Sequence, residues 1–503
     1  MIKRNNVSLK SYISSNSYEV FIIIFFALLS YGIKLFNVTI SHDTEAILSV
    51  PDSLYGSWIG MGRYGAVILK KIIGTYLFNP YIAEFMALTC FVFGAVFWSY
   101  LFYRAGMKNQ KFLWIFGSVF ITSIITAEQT AFLLQSYEVS LSYLFISVSI
   151  FLIFFLGSKE KWYFIVFGIL LLAFSFSIYQ SNVALYIAAV IMLFIVVYDN
   201  SDDSNLKDHL FLIVEFIAVL AVSLIIYFIG KKLFFIAGYS QNSYVDNQVM
   251  WKTASFGTCI KAILTHIKDV YTGKGIFYNY LLLITSLLSL IYLVVRKKTK
   301  YYWIYLVSLL TLLISPFLMT FVLGNAPSAR VEVNIPFVSA FLTMYIVDAV
   351  SHTSKKMFKV AIIFVFIACM LQGQATSRLY YTEYVKGREE ERLATKISDR
   401  IDLLDPNGEL PVVFIGSTNL NRNKACYDKS QFELTGYSFF EISFSTQHGT
   451  FVMNHYFDTL GIKYVMPSQE QIVLAESKAR DMKPWPDVDS IQKIDDIIIV
   501  KLG

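Results

Sequence analysis

Charge is what this chain has least of. Asp, Glu, Lys and Arg make up 16% of its 503 residues, against about 25% in a soluble globular chain. With 56% hydrophobic residues and a mean hydropathy of +0.56, the shortage excludes an ordinary soluble protein and points to an integral membrane protein. Cysteine is scarce: four residues and no CxxC. Cys90 and Cys369 fall inside apolar runs, where they are expected to pack as small hydrophobes. Cys259 and Cys426 lie in segments where spacing fixes no pairing. The six histidines show no metal-ligand spacing, and GxxxxGK[ST], HExxH and GxSxG are all missing. No run of acids lies mid-span, as a proton-coupled transporter usually requires. No internal repeat or low-complexity tract is present. The net charge of +6 does not indicate a nucleic-acid partner, because the basic residues sit in short blocks between apolar runs.

Apolar runs are abundant, and aromatics reach 17% of the chain. A span needs about 20 mostly apolar residues. Candidate spans cover 18–36, 82–103, 112–126, 139–156, 162–179, 183–198, 210–235, 277–295, 301–323, 335–350 and 358–371, about eleven in all. The first has no small-residue cleavage site and is read as a retained span. Lys3, Arg4 and Lys10 precede it, and alternate loops then carry blocks such as Arg104 to Lys111 and Arg296 to Lys300. Loops of the opposite parity are poor in Lys and Arg, which puts the N-terminus inside and, with an odd number of spans, the C-terminus outside.

The expected organisation is a membrane domain over 1–372, with outer loops 37–81 and 237–276, and an outer α/β domain over 373–503. "WIGMGRYGAVILKKIIG" reads as one interfacial amphipathic helix with Lys70 and Lys71 away from its apolar face, and "SFGTCIKAILTHIKDV" as another. In the C-terminal part, "PVVFIGS" and "GIKYVMP" read as strands, "SQEQIVLAESKARDM" as a helix and "SIQKIDDIIIVKL" as a hairpin.

Asp43 and Glu45 in "SHDTEAIL" sit at the outer end of the first span. Spaced i and i+2, they point one way only in a turn, where they can share a divalent cation or divide labour as acid and base. The plainer reading is a solvated loop, with His42 either assisting Asp43 or simply hydrated. Arg63, among glycines, can pair with a carboxylate or phosphate. Glu128 and Glu138 fall at the outer ends of two spans, where an acid is either an exposed turn residue or a buried polar group with a task. Tyr179 and Gln180 can stack on and hydrogen-bond a sugar, or anchor the membrane interface. Arg330, with Glu332 and Asn334 as expected partners for its fork, can clamp a lipid-linked phosphate or a phospholipid headgroup. Arg422, Lys424 and Trp485 are further candidate sugar or phosphate contacts.

"SHDTEAIL", "WIGMGRYGAVIL", "AEQTAFLLQSYEVS", "SFSIYQSN", "PSARVEVNIP" and "WPDVDSIQKIDDIIIVKL", in that order, resemble the type II glucosyl transferase family. These are polytopic enzymes of bacteria and their temperate phages that glucosylate O-antigen, part of lipopolysaccharide, and so cause serotype conversion. The family's first outer loop typically carries adjacent acids; here Thr44 separates Asp43 from Glu45. The resemblance implies a GT-C type glycosyltransferase of the bacterial inner membrane, working on the periplasmic face. Its donor would be undecaprenyl-phosphate-glucose, supplied by a companion synthase and flippase. Its acceptor would be a hydroxyl of a lipid-linked O-antigen repeat. Asp43 or Glu45 would be the catalytic base, Arg330 and Arg63 would hold the donor phosphate, and Glu128, Glu138, Tyr179 and Gln180 would line the sugar and acceptor site. No cofactor is required by this scheme, though a divalent cation is compatible with it. The alternatives are a transporter or flippase of lipid-linked sugar and a polysaccharide ligase or polymerase.

Overall fold

The computed structural model of the chain describes residues 7–107, 112–199, 206–295, 302–428 and 437–503. Among them, eight helices are long and apolar enough to cross a membrane: Ser17–Phe36, Pro80–Ala105, Leu133–Leu156, Asn182–Asp199, Leu206–Ile236, Tyr302–Leu323, Asn334–Ser351 and Lys355–Leu404. Trp162–Ile178 and Leu281–Val295 are shorter apolar helices. The chain is thus a polytopic helical membrane protein.

The run at 112–126 is not one helix. Leu113–Thr122 ends at Ser123, whose backbone is extended, and Ile124–Ala131 starts afresh. A break at membrane depth survives only if its freed carbonyls find partners. Here Thr126 Oγ1 donates to Phe120 O (2.9 Å) and Thr376 Oγ1 to Thr122 O (2.7 Å). Gln372 Oε1 accepts from Thr122 Oγ1 (2.9 Å).

The stretch 58–74 also divides, into Pro51–Gly60 and Tyr64–Ile73. Gly62 makes the turn between them with φ of 87°, a conformation open to glycine at no steric penalty. Lys70 is not on an exposed face. Its side chain and that of Glu138 are both 0% exposed and form an ion pair, ringed by Trp58, Phe78 and Tyr137. A carboxylate inside the bundle needs a counter-charge, and the short helix delivers it. Lys71 stays outside, 5.2 Å from the ring of Tyr76. The second expected interfacial helix forms as Phe256–Tyr271.

The last span does not stop at the membrane. Lys355–Leu404 runs 50 residues through the expected boundary at 372/373 without interruption, a rod of about 75 Å at 1.5 Å per residue. Beyond it lie β1 (Val412–Ile415), β2 (Ile491–Ile494) and β3 (Ile497–Lys501) in the order β1-β3-β2. β1 and β3 are parallel, and β2 and β3 form the expected antiparallel hairpin. Helices Thr446–Thr459 and Gln469–Lys478 accompany them. "GIKYVMP" makes a single bridge, Pro411 to Val465, and no strand. Pro411 and Pro467 have no N–H with which to extend that ladder. A second apolar core here joins Ile397 and Ile401 of the long helix to Val412, Phe440, Phe457 and Val500. All four cysteines are free.

Three buried charges tie the spans together at one end of the bundle. Lys34 Nζ lies 3.1 Å from Glu84 Oε1 and 2.7 Å from Glu383 Oε1. This joins Ser17–Phe36, Pro80–Ala105 and the long helix. Removing one partner of a buried pair strands the other at a penalty of about 3–5 kcal/mol. Lys34→Met should therefore sharply lower the melting temperature of the protein in detergent. Glu84→Gln, which leaves the Lys34–Glu383 pair, should have a much smaller effect. Equal melting of Lys34→Met and the parent would show that the knot does not hold the bundle.

Candidate functional site

The segment between the first span and the helix Thr44–Ser49 is a tight turn. Thr44 N–H donates to Ser41 O (2.9 Å), and the two hydroxyl oxygens are 3.1 Å apart. Asp43 occupies the left-handed region, with φ of 70°. Aspartate and asparagine tolerate that region better than most residues. The turn is pressed against the long helix at Gly387, where an added Cβ would come 2.6 Å from Thr39 Cγ2. The C-terminal part closes over it. His42 stacks on Phe444 (5.3 Å between centroids) and lies near Phe439 (6.2 Å).

The two acids occupy different environments. Asp43's side chain is 43% exposed, and its Oδ1 lies 3.1 Å from His42 Nδ1. Burial acts to raise Asp43, but the adjacent His42 and the charge of Arg330 outweigh it and hold the carboxyl below its usual range. His42 is correspondingly raised: burial is overcome by Asp43 and Glu45, with Lys386 opposing them. Glu45 is 2% exposed. Burial, and then the charge of Asp43, push it up to about 8 against the pull of His42. At neutral pH, Asp43 is ionised and Glu45 protonated. The ligand atoms of His42, Asp43 and Glu45 lie within 4.8 Å of one another, a spacing a divalent cation can bridge. The positive charges of Arg330 and Lys386 already act on this cluster.

Arg63 follows the Gly62 turn. Its Nε donates to Gln180 Oε1 (3.3 Å) and its Nη1 to Gln135 Oε1 (3.2 Å). Gln180 Nε2 donates to Met61 O (2.9 Å), and the Tyr179 ring lies 5.1 Å from the guanidinium. Arg63, Tyr179 and Gln180, read separately in the sequence, thus form one cluster. Arg330 sits in the turn Ala329–Val331, buried, with its guanidinium 4.4 Å from the Phe132 ring centroid. Helix Ile124–Ala131, swung inward by the break at Ser123, packs against that turn and carries Glu128, which is buried rather than in an exposed turn. The charge of Arg330 acts on both Asp43 and Arg63. Arg330 is thus felt by a carboxylate and by a second guanidinium group, and two like charges of this kind favour an anion between them.

Glu332, expected to steady Arg330, lies 2.5 Å from His266 Nε2 and accepts from Tyr278 OH (2.5 Å). Asn334 Nδ2 donates to Ser315 O (3.4 Å). Glu138 is enclosed with Lys70, out of contact with solvent and outside the Asp43 cluster. Arg422 pairs with buried Glu441 (2.5 Å) and so fastens a loop, while Lys424 is exposed. Lys386 went unnoticed in the sequence. It is fully buried, 3.8 Å from Glu390 Oε2, and its charge acts on His42. In "YVKGREEER" it reads as one more residue of a solvated charged helix, and only the following glycine hints at close packing.

A cavity of about 320 Å³ opens between Leu281–Val295 and the long helix, lined by Ile276, Phe277, Tyr278, Ile367 and Leu371. Ile367 and Leu371 also face outward from the bundle. A smaller cavity shares Phe277, Tyr278, Asn279 and Gln372 with it and continues inward to Ser123 and Pro336. Tyr278, which lines both cavities, donates to Glu332, two residues along the chain from Arg330.

Residues 32–347, more than half of the chain, match the family model described as Glucosyl transferase GtrII. The chain belongs to this glucosyltransferase family. No curated protein and no solved structure shows a significant match.

Gly387→Ala tests whether the long helix positions the acid turn. Alanine is favoured over glycine within a helix by about 1 kcal/mol, which offsets part of the cost of about 1–3 kcal/mol for crowding Thr39, so the melting temperature should change little or fall modestly. The displaced Thr39 would shift Asp43, and a misplacement of about 1 Å can lower turnover about 10²-fold. Unchanged glucosyl transfer by Gly387→Ala would show that the contact does not set the site.

Proposed function

We propose that this glucosyltransferase moves glucose from a polyprenyl-phosphate-glucose donor, undecaprenyl phosphate being the carrier, to a hydroxyl of a lipid-linked O-antigen repeat. It does so on the periplasmic face of the bacterial inner membrane. The proposed topology has eleven crossings, with the N-terminus cytoplasmic and residues 373–503 forming a periplasmic α/β domain. The observation that carries the reading is that the charge of Arg330 reaches both Arg63 and an ionised Asp43, in a bundle whose flank opens into an apolar cavity beside Tyr278. An apolar cavity open to the flank suits a prenyl chain better than a soluble nucleotide sugar. Family membership favours transfer over transport.

Asp43 accepts the proton of the acceptor hydroxyl as its oxygen attacks C1 of the glucose. The bond from C1 to the phosphate oxygen breaks, and its electron pair leaves with the prenyl phosphate. Arg330 and Arg63 offset the charge gathering on that phosphate. Glu45, protonated at neutral pH, keeps a second negative charge from building up beside Asp43. Tyr179 and Gln180 hold Arg63 in place and border the glucose, with Glu128 on the neighbouring helix. Companion proteins make the donor and flip it outward.

Purified protein in lipid, given polyprenyl-phosphate-glucose and lipid-linked polysaccharide, should add one hexose per repeat by mass spectrometry. A change in chain length without hexose addition would indicate a polymerase instead. Asp43→Asn fits the left-handed turn and should lower turnover by about 10²- to 10⁴-fold, the usual contribution of a general base. Parental turnover in this variant would place the base elsewhere.

The pH profile separates the two acids. Below about 8 Glu45 is neutral, and above it the carboxylate forms beside Asp43 and His42, two groups on which Arg330, Lys386 and His448 act in turn. Parental transfer should therefore fall as pH rises through about 8. Glu45→Gln, permanently neutral, should retain activity at pH 7 and lose that alkaline decline. Loss of activity at pH 7 would show instead that the Glu45 carboxylate itself is required.

A further inference from the structure

The C-terminal part contains a polar cavity of about 320 Å³ between the long helix, the loop after β1 and the Trp485–Pro486 turn. Lys396 and Arg392, the latter paired with Glu389, enter it from the helix, Asn419 and Asn421 from the loop, and Trp485 from the turn. We infer that it is a saccharide subsite, taking a part of the acceptor polysaccharide some sugar residues away from the reacting hydroxyl. The inference rests on the transfer reading above and extends it to the acceptor.

Chemistry and placement carry it. Sugar hydroxyls both donate and accept, and the two asparagine amides do the same, while Arg392 and Lys396 add donors. An indole ring offers a flat apolar face of the kind that covers the C–H side of a pyranose. The walls are held in place before any ligand arrives. Arg400 lies 4.5 Å from the Trp485 ring centroid, and its Nη1 donates to Asp487 O (3.0 Å). Trp485 N–H donates to Lys501 O (2.9 Å) in β3. The loop is fastened by Thr418 N–H to Phe440 O (2.6 Å) and Leu420 N–H to Glu441 Oε1 (3.1 Å). Arg422, bonded to Glu441 Oε2 (2.5 Å), completes the fastening.

Placement follows from the helix. Lys386, Glu389, Leu393 and Lys396 recur at helical spacing and share a face. Lys386 marks the acid turn, since its charge acts on His42. Lys396 is ten residues further along, about 15 Å at the helical rise. The cavity therefore lies about 15 Å further along the rod from the acid turn, a distance of a few pyranose rings. Binding there would hold a polymer in register while one of its residues reaches Asp43.

The test uses the full-length protein in lipid nanodiscs on an array of defined oligosaccharides covering neutral-hexose, amino-sugar and uronic-acid chains. The parent should bind a subset. The double variant Lys396→Ala/Asn421→Ala changes two exposed side chains and should weaken that binding about tenfold, as should Trp485→Ala, the scale of one ring contact and its hydrogen bonds. In the transfer assay the double variant should raise KM for the long acceptor by a similar factor and leave kcat and donor binding unchanged. No glycan bound by the parent, or equal binding by parent and double variant, overturns the subsite. Glycan binding that is lost in the variants, in a protein that transfers no glucose, supports the subsite and sinks the transfer reading.

Discussion

One unbroken helix, Lys355–Leu404, fixes the relation between membrane and extramembrane parts. Its contacts fall in sequence along its length. Thr376 completes the broken helix at Ser123, Glu383 joins the Lys34 knot, and Lys386 and Gly387 meet the acid turn. Glu390 Oε1 then accepts from Phe439 N (2.8 Å). Within about two helical turns beyond Glu383, each turn being about 5.4 Å, the helix thus passes from tying spans together to anchoring the lid over Asp43. A hinge anywhere in that stretch would uncouple the lid from the turn beneath it.

The site built under this lid separates two acids that stand two residues apart. Asp43 keeps partial access to solvent with His42 and Arg330 on either side, which favours its charge. Glu45 is turned into the protein and favours its proton. The left-handed backbone at Asp43 makes the division possible, because it reverses the chain at the one residue that must face outward. Across the same space Arg63 and Arg330 repel each other, which leaves the site with a preference for an anion. Gln135 and Gln180 hold Arg63 without neutralising it.

Much of this was legible in the sequence, at different levels. Long apolar runs gave away most spans, since about 20 lipid-compatible residues have few other uses. Asp43, Glu45, Arg63, Tyr179, Gln180 and Arg330 stood out as polar groups at the edges of those runs, and the structure brings the Arg63, Tyr179 and Gln180 side chains into contact. What hydropathy cannot register is a partner distant in sequence. It could not show that Lys70 answers Glu138 from inside the bundle, nor that Thr376 permits a break at Ser123. It also could not show that two prolines hold "GIKYVMP" to one bridge. Lys386 escaped for the same reason: a lysine among glutamates looks hydrated until the surface it touches is known.

The break at Ser123 bears on how the molecule comes to be made. Its loose carbonyl at Thr122 is claimed by Thr376, which the ribosome delivers some 250 residues later. Until that last span enters the bilayer, the short third helix has polar backbone with no partner in lipid, a state the hydrocarbon core opposes. Leu113–Thr122 must therefore wait, sheltered by the insertion machinery or by water, and settle only when the final segment arrives. Biosynthesis of this protein is closed from its far end, and a chain truncated before residue 372 leaves the membrane with an unfinished bundle.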